Sequence, residues 1–200
     1  MDLLLATGNQ HKIVEMTALL DGAGWTLHTA KDFPSFPDVE ESGATYQANA
    51  LIKARIWAQR TKLISLADDS GLEVDALDGR PGVYSNRYAP TSAERIAKLL
   101  REMQNVEETR RTARFVCVMA MAWPDGRTEV RRGVCEGRIS FEPAGAGGFG
   151  YDPVFYLPDY GQTMAELPAE EKNKISHRAR AAQAIRQFLE RPRPRASGEI

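Results

Sequence analysis

Apolar residues fall along this chain in two rhythms. The run Leu3-Leu4-Leu5-Ala6 predicts a short buried strand at 3–6, and Ile13, Val14, Met16, Leu19 and Leu20 then recur at helical spacing. A turn at Thr7-Gly8-Asn9 separates the two, and Gly22 and Gly24 end the helix. Residues 25–28 predict a second strand, 31–44 a loop rich in Pro and acid, and 45–60 a long helix with Ala50, Ile52, Ile56 and Trp57 as apolar positions. A buried strand at 63–67 is expected to run into a turn at Asp68-Asp69-Ser70-Gly71. Another strand follows at 72–77, and Asp78-Gly79-Arg80-Pro81-Gly82 turns the chain.

Thr91 is a helix N-cap, and Glu94 completes a capping box for a helix at 92–103. The segments 114–123 and 128–139 flank Pro124-Asp125-Gly126-Arg127 and predict an antiparallel hairpin. A glycine-rich stretch at 145–150 precedes a strand at 151–157, and Ser176 caps a last helix at 177–189. Strands alternate with helices early and a hairpin comes late. That order predicts an α/β fold with a mixed sheet rather than a purely parallel one.

Composition narrows the function. The 200 residues suit one domain, placed at 1–190, with a Pro- and Arg-rich tail at 191–200 expected to be disordered. Lys and Arg number 26 against 27 Asp and Glu, a net charge of −1. The excess of positive charge that marks a nucleic-acid binder is missing, so affinity for phosphate has to come from a local basic cluster or a metal. No apolar run approaches the ~20 residues that span a bilayer, and residues 1–5 lack the basic region of a signal peptide. A cytoplasmic protein with no membrane or nucleic-acid partner is expected. Cys117 and Cys135 form no disulfide framework and are expected as reduced thiols on neighbouring strands.

Five clusters carry candidate chemistry. Thr7, Gly8, Asn9, Gln10, His11 and Lys12 join a strand to a helix N-terminus, where free N–H groups and the helix dipole favour an anion. Asp68 and Asp69 place adjacent carboxylates at a strand's end, a position for a hard cation or simply a solvated turn. Thr45, Asn49 and Lys53 share one face of a helix, either facing solvent or lining a cleft with Glu41 nearby. In Gly147-Gly148-Phe149-Gly150-Tyr151-Asp152, Phe149 offers a ring to a nucleobase and Asp152 an acceptor to its edge; the alternative is a strained strand entry with Phe149 in the core. Lys172, Lys174, His177 and Arg178 crowd positive charge where the last helix begins, against its dipole, which makes sense if an anion or electron-rich ligand sits among them.

Each cluster is modest alone, but their order is not. TGNxxK, SGATYxxNAxxKA, LADDSGL, PGVYSxRYA, GGFGYDPVF and EEKNxISHRxxA, spread over residues 3–189, closely resemble the inosine triphosphate pyrophosphatase family, also called non-standard purine NTP pyrophosphatases or XTP/dITP diphosphatases. The resemblance implies a two-lobed α/β protein with a long mixed sheet, flanking helices and a central cleft, assembled as a homodimer. It implies Mg²⁺-dependent hydrolysis of ITP, dITP or XTP to the monophosphate and pyrophosphate. Thr7 to Lys12 match the family's phosphate-binding opening. Glu41 and Asp69 match its metal-associated acids, with Asp69 also the base, and Lys53 and Ser70 match substrate-contacting positions. Phe149, Gly150, Tyr151, Asp152, Lys172, His177 and Arg178 match its base pocket. Arg178, a donor only, suits a 6-oxo purine. Many relatives carry Glu-Asn-Ala where this chain has Ala48-Asn49-Ala50, so position 48 receives no metal role. Two rival readings are a Maf-type pyrophosphatase for pyrimidine triphosphates and a nucleotide- or RNA-binding regulator without catalysis. The opening and the GGFGYDP and SHR motifs oppose the first; the charge balance and the paired aspartates oppose the second.

Overall fold

In the computed structural model, which describes residues 1–22, 24–37 and 39–190, seven strands form one sheet in the order β2-β1-β3-β4-β5-β6-β7. β1 (Asp2–Leu5), β2 (Thr26–Thr29) and β3 (Ile64–Val74) are parallel. β4 (Thr112–Ala122), β5 (Thr128–Ile139), β6 (Phe155–Leu157) and β7 (Gln162–Thr163) add antiparallel neighbours. The sheet is mixed, as the alternation of elements predicts, and the long hairpin β4–β5 forms its centre. The tail at 191–200 lies outside the described residues.

Side chains alternate across the sheet and build a core on each face. On one face Leu3, Leu5, Leu66, Cys117 and Met119 meet Met16 and Leu20 of α1 (Gln10–Leu20) and Ala181 and Ile185 of α5 (His177–Glu190). On the other, Leu4, Ala67, Val118 and Ala120 pack against Ala50, Ala54 and Trp57 of α2 (Tyr46–Thr61). A third cluster, with Leu72, Phe115 and Phe155, covers the far half of the sheet under Leu99 and Met103 at the end of α3 (Ser92–Glu102). The capping box at Thr91 is present: its hydroxyl accepts from Glu94 N–H (3.2 Å), and the Glu94 carboxylate accepts from Thr91 N–H (2.9 Å).

Three expectations change. The strands at 63–67 and 72–77 are one continuous strand, β3, with no turn between them. The strand at 151–157 shrinks to Phe155–Leu157, because Asp152–Val154 is a 3-10 turn. Lys172 and Lys174 do not open the last helix. They lie in the final turn of a separate helix, α4 (Ala169–Ile175), where positive charge complements the dipole. Cys117 and Cys135 are free and buried at diagonal positions of the β4–β5 ladder, opposite Gly133 and Phe115.

Candidate active site

β1 pairs with β3 only as far as Leu66, whose carbonyl accepts from Ala6 N–H (2.8 Å). Beyond that point β3 runs on alone at this edge, carrying Asp68, Asp69, Ser70 and Gly71 opposite Met119, Val118, Cys117 and Val116 of β4. The buried, apolar β4 supplies a full ladder partner, which is why this polar stretch stays extended instead of turning. Gly71 is needed for a close approach: a Cβ there would lie 2.3 Å from Gly82 O and 2.6 Å from Ser85 Oγ.

Consecutive strand residues point to opposite faces, so the two aspartates cannot share one cation. Asp68 faces α1 and α5 and is fully buried. Its Oδ2 lies 3.0 Å from Lys12 Nζ and 3.1 Å from Arg178 Nη2. Burial alone would raise its carboxyl, but the charges of Lys12, Arg178 and Lys53 outweigh burial and hold it far below the usual carboxylate range. Asp69 faces α2, where Asn49 Nδ2 donates to its Oδ2 (2.9 Å). Here burial wins over Lys53 and Asn49, Glu41 adds repulsion, and the carboxyl is raised.

The stripe on α2 lines the cleft. Thr45 caps the helix by accepting from Ala48 N–H, while Asn49 and Lys53 are buried. Lys53 Nζ donates to Glu41 Oε1 (2.7 Å) and to Asp68 O (2.5 Å). Asn49 also accepts from Gly43 N–H (2.7 Å), and Arg87 donates to Glu41 O (3.2 Å). The loop bearing Glu41 is therefore tied both to α2 and to the 3-10 turn Gly82–Arg87.

At the other end, Gly148 and Gly150 adopt positive φ (67° and 66°). A Cβ on Gly148 would strike the Asp152 carboxylate, whose Oδ2 accepts from Phe149 N–H (2.8 Å). Asp152 Oδ2 also meets Lys172 Nζ (2.5 Å). This oxygen braces the Phe149 loop and Lys172. Lys172 Nζ lies 4.9 Å and Arg178 Cζ 5.6 Å from the Phe149 ring centre. Arg178 makes four hydrogen bonds, from Nε and Nη2 to Asp68, from Nη2 to Ser70 and from Nη1 to Glu15, which leaves one N–H on Nη1. His177 stacks on Phe115 (4.8 Å, 17°). Burial, with Arg178 and Lys172 beside it, holds His177 well below the ordinary histidine range, so it is a neutral ring at neutral pH. Tyr151 donates to Ser85 O (3.0 Å), and Gln10 turns outward to accept from Lys31 (2.7 Å).

Two adjoining hollows result. One is lined by Thr7, Gly8, Glu41 and Lys53, the other by His11, Ser70, Phe149, Gly150, Tyr151, Asp152, Lys172, His177 and Arg178. They share Asn9, Lys12 and Asn86. Asp69 lines neither hollow, but it feels the charges of Lys53, Glu41 and Lys12. The structure thus gathers the predicted residues around these two hollows, apart from Gln10 and Asp69.

Sequence reasoning missed Glu15, which joins Arg178 (2.6 Å) to Lys172 (2.7 Å), and Asn86 at the junction. Glu15 stands three residues after Lys12, hence on the same helix face, and that spacing was the available signal.

A sequence model of the Ham1 family matches residues 3–188. The chain belongs to the Ham1 family. It is 48% identical over 190 residues to a dITP/XTP pyrophosphatase of Halalkalibacterium halodurans, covering 94% of this chain and 98% of that protein. It is 52% identical over 183 residues to a dITP/XTP pyrophosphatase of Geobacillus kaustophilus, covering 90% of each. The fold matches the solved structure of a Ham1 protein from Coxiella burnetii with a TM-score of 0.87 at 43% identity, over 94% of this chain and 98% of that one. These likenesses bear out the family read from the motifs and the α/β fold with flanking helices.

Proposed function

We propose that this Ham1-family chain hydrolyses non-standard purine nucleoside triphosphates (ITP, dITP and XTP) to the monophosphate and pyrophosphate. One observation carries the reading. A hollow at a helix N-terminus with two lysines and a carboxylate opens onto a second hollow with an aromatic ring and buried cations, and Lys12 stands at their junction. A triphosphate fits the chemistry of the first and an electron-rich planar base that of the second.

Charge bears on the cofactor. Lys12, Lys53, Arg87, Lys172 and Arg178 face Glu41, Asp68, Asp69, Glu15 and Asp152, five charges of each sign. A triphosphate of about four negative charges needs added positive charge there. Among the described residues no group of three or more His, Cys, Asp or Glu converges on one point. Glu41 and Asp69 would hold a Mg²⁺ ion, a cation that needs only one or two protein carboxylates. When bound, the ion neutralises phosphate charge and draws electron density from the scissile bond.

Lys12 and Lys53 bind the phosphates. Asp69 takes a proton from the water that attacks the α-phosphorus, the bond to the β-phosphate oxygen breaks, and pyrophosphate leaves. Lys172, held by Glu15 and Asp152 beside Phe149, belongs to the base end and not to the triphosphate end. There Lys172 and the remaining Arg178 N–H can only donate, which favours a 6-oxo group. A 6-amino group would leave donors facing donors, a mismatch worth ~10⁴ in selectivity where water is excluded.

A nucleotide panel tests this reading. ITP, dITP and XTP are expected to give monophosphate and pyrophosphate, ATP far less of either, with activity lost in EDTA and restored by Mg²⁺. Release of inorganic phosphate and a diphosphate would refute it. A cytoplasmic homodimer is part of the same reading, and sedimentation velocity checks the assembly.

A further inference from the structure

His11 is the second residue of α1, in the turn that faces the phosphate end. Its main-chain N–H donates to Asn9 Oδ1 (3.0 Å), which fixes its backbone there. Its side chain nevertheless goes the other way. The imidazole stacks on Phe149, with ring centres 5.2 Å apart and planes within 14° of parallel. His11 lines the Phe149 hollow and takes no part in the wall of the Glu41–Lys53 hollow.

We propose that His11 is a specificity-determining residue, which with Phe149 forms a two-walled aromatic clasp for the purine ring. The inference rests on the function proposed above and gives the substrate's base a second contact. Phe149 is the fixed wall: Asp152 holds its N–H, and two buried cations stand against its ring. His11 is the movable wall, because its side chain is exposed and makes no hydrogen bond among the described residues. A flat base between the two rings needs them about 7 Å apart, two stacking distances, so His11 swings outward to admit it. A bicyclic purine then covers both rings, while a monocyclic pyrimidine covers less of each. The clasp thus rewards base area, and the donors behind it read the 6-oxo group.

His11→Ala and His11→Phe, compared with the native chain, decide the matter. Calorimetry measures affinity for inosine 5′-monophosphate and for inorganic tripolyphosphate, which has no base; turnover of ITP is measured separately. His11→Ala is expected to weaken inosine monophosphate and raise KM for ITP by about 3- to 10-fold, the worth of one aromatic stack. In that variant kcat and tripolyphosphate affinity should stay within about twofold, and His11→Phe should restore the nucleotide affinity. Unchanged nucleotide affinity in His11→Ala, a parallel loss of tripolyphosphate, or failure of His11→Phe to restore would each overturn the clasp, as would a native protein that binds no inosine monophosphate. A native protein that binds inosine monophosphate without cleaving ITP would instead refute the proposed function and leave the clasp to be judged on the binding data.

Discussion

Asp69→Asn is expected to lower kcat by about 10³-fold, the usual scale for removing a general base, while the fold stays intact. Asn keeps the shape and can still accept from Asn49 Nδ2, which now meets Asp69 Oδ2 at 2.9 Å, giving up only the bond that Oδ1 accepts from the adjacent Ser70 N–H (3.0 Å). It removes the proton acceptor and a negative charge. Stability should not suffer. Burial raises the Asp69 carboxyl, so its protonated form is the one the fold favours, and that favour is lost as pH rises through the raised value. At neutral pH the ionised carboxylate opposes folding, and the amide escapes that cost. A melting temperature equal to or above the native one, together with collapsed turnover, is the expected pair. Turnover reduced less than tenfold would remove Asp69 from the chemistry.

The second large effect falls on its neighbour and is of another kind. Asp68→Asn is expected to destabilise the fold by about 3–5 kcal/mol, because it leaves Lys12 buried without a counter-charge and Arg178 with Glu15 alone. For a chain of this size that lowers the melting temperature by roughly 6–20 °C. The difference depends on pH. Despite burial, the surrounding cations depress the folded-state value of Asp68, so its stabilisation is present above the unfolded value and fades as pH falls below it. Native and variant melting curves should therefore draw together below about pH 4. A constant gap down to pH 2 would show that packing, not charge, makes the difference. Two adjacent aspartates thus give opposite phenotypes, one catalytic and one structural, because a strand sends them to opposite faces.

That division is where the sequence was least legible. The run Asp68-Asp69-Ser70-Gly71 has turn composition, and only its long-range pairing with β4 makes it a strand. Local propensity cannot see a partner some fifty positions away, and the face assignment follows from the pairing. Asp152 is hard to read for a similar reason: its Oδ2 is held by Lys172, a partner on α4. Lys172 and Lys174 oppose a helix dipole in the sequence pattern only because Ser176 reads there as an N-cap alone, whereas it also divides α4 from α5. The elements with strong local rules emerged well: the hairpin across Asp125-Gly126, the capping box at Thr91, and the turn from β1 into α1. Lys53 was visible as one of two readings, solvent or cleft. Burial against the Asp68 carbonyl selects the cleft.

Water reaching the α-phosphorus from the Asp69 side is the decisive step, and hydrolysis of ITP in ¹⁸O-labelled water examines it directly. The label should appear in inosine monophosphate and be absent from pyrophosphate. Label in pyrophosphate would mean attack at the β-phosphorus and would contradict the assignment of Asp69, Lys12 and Lys53 to the reacting centre.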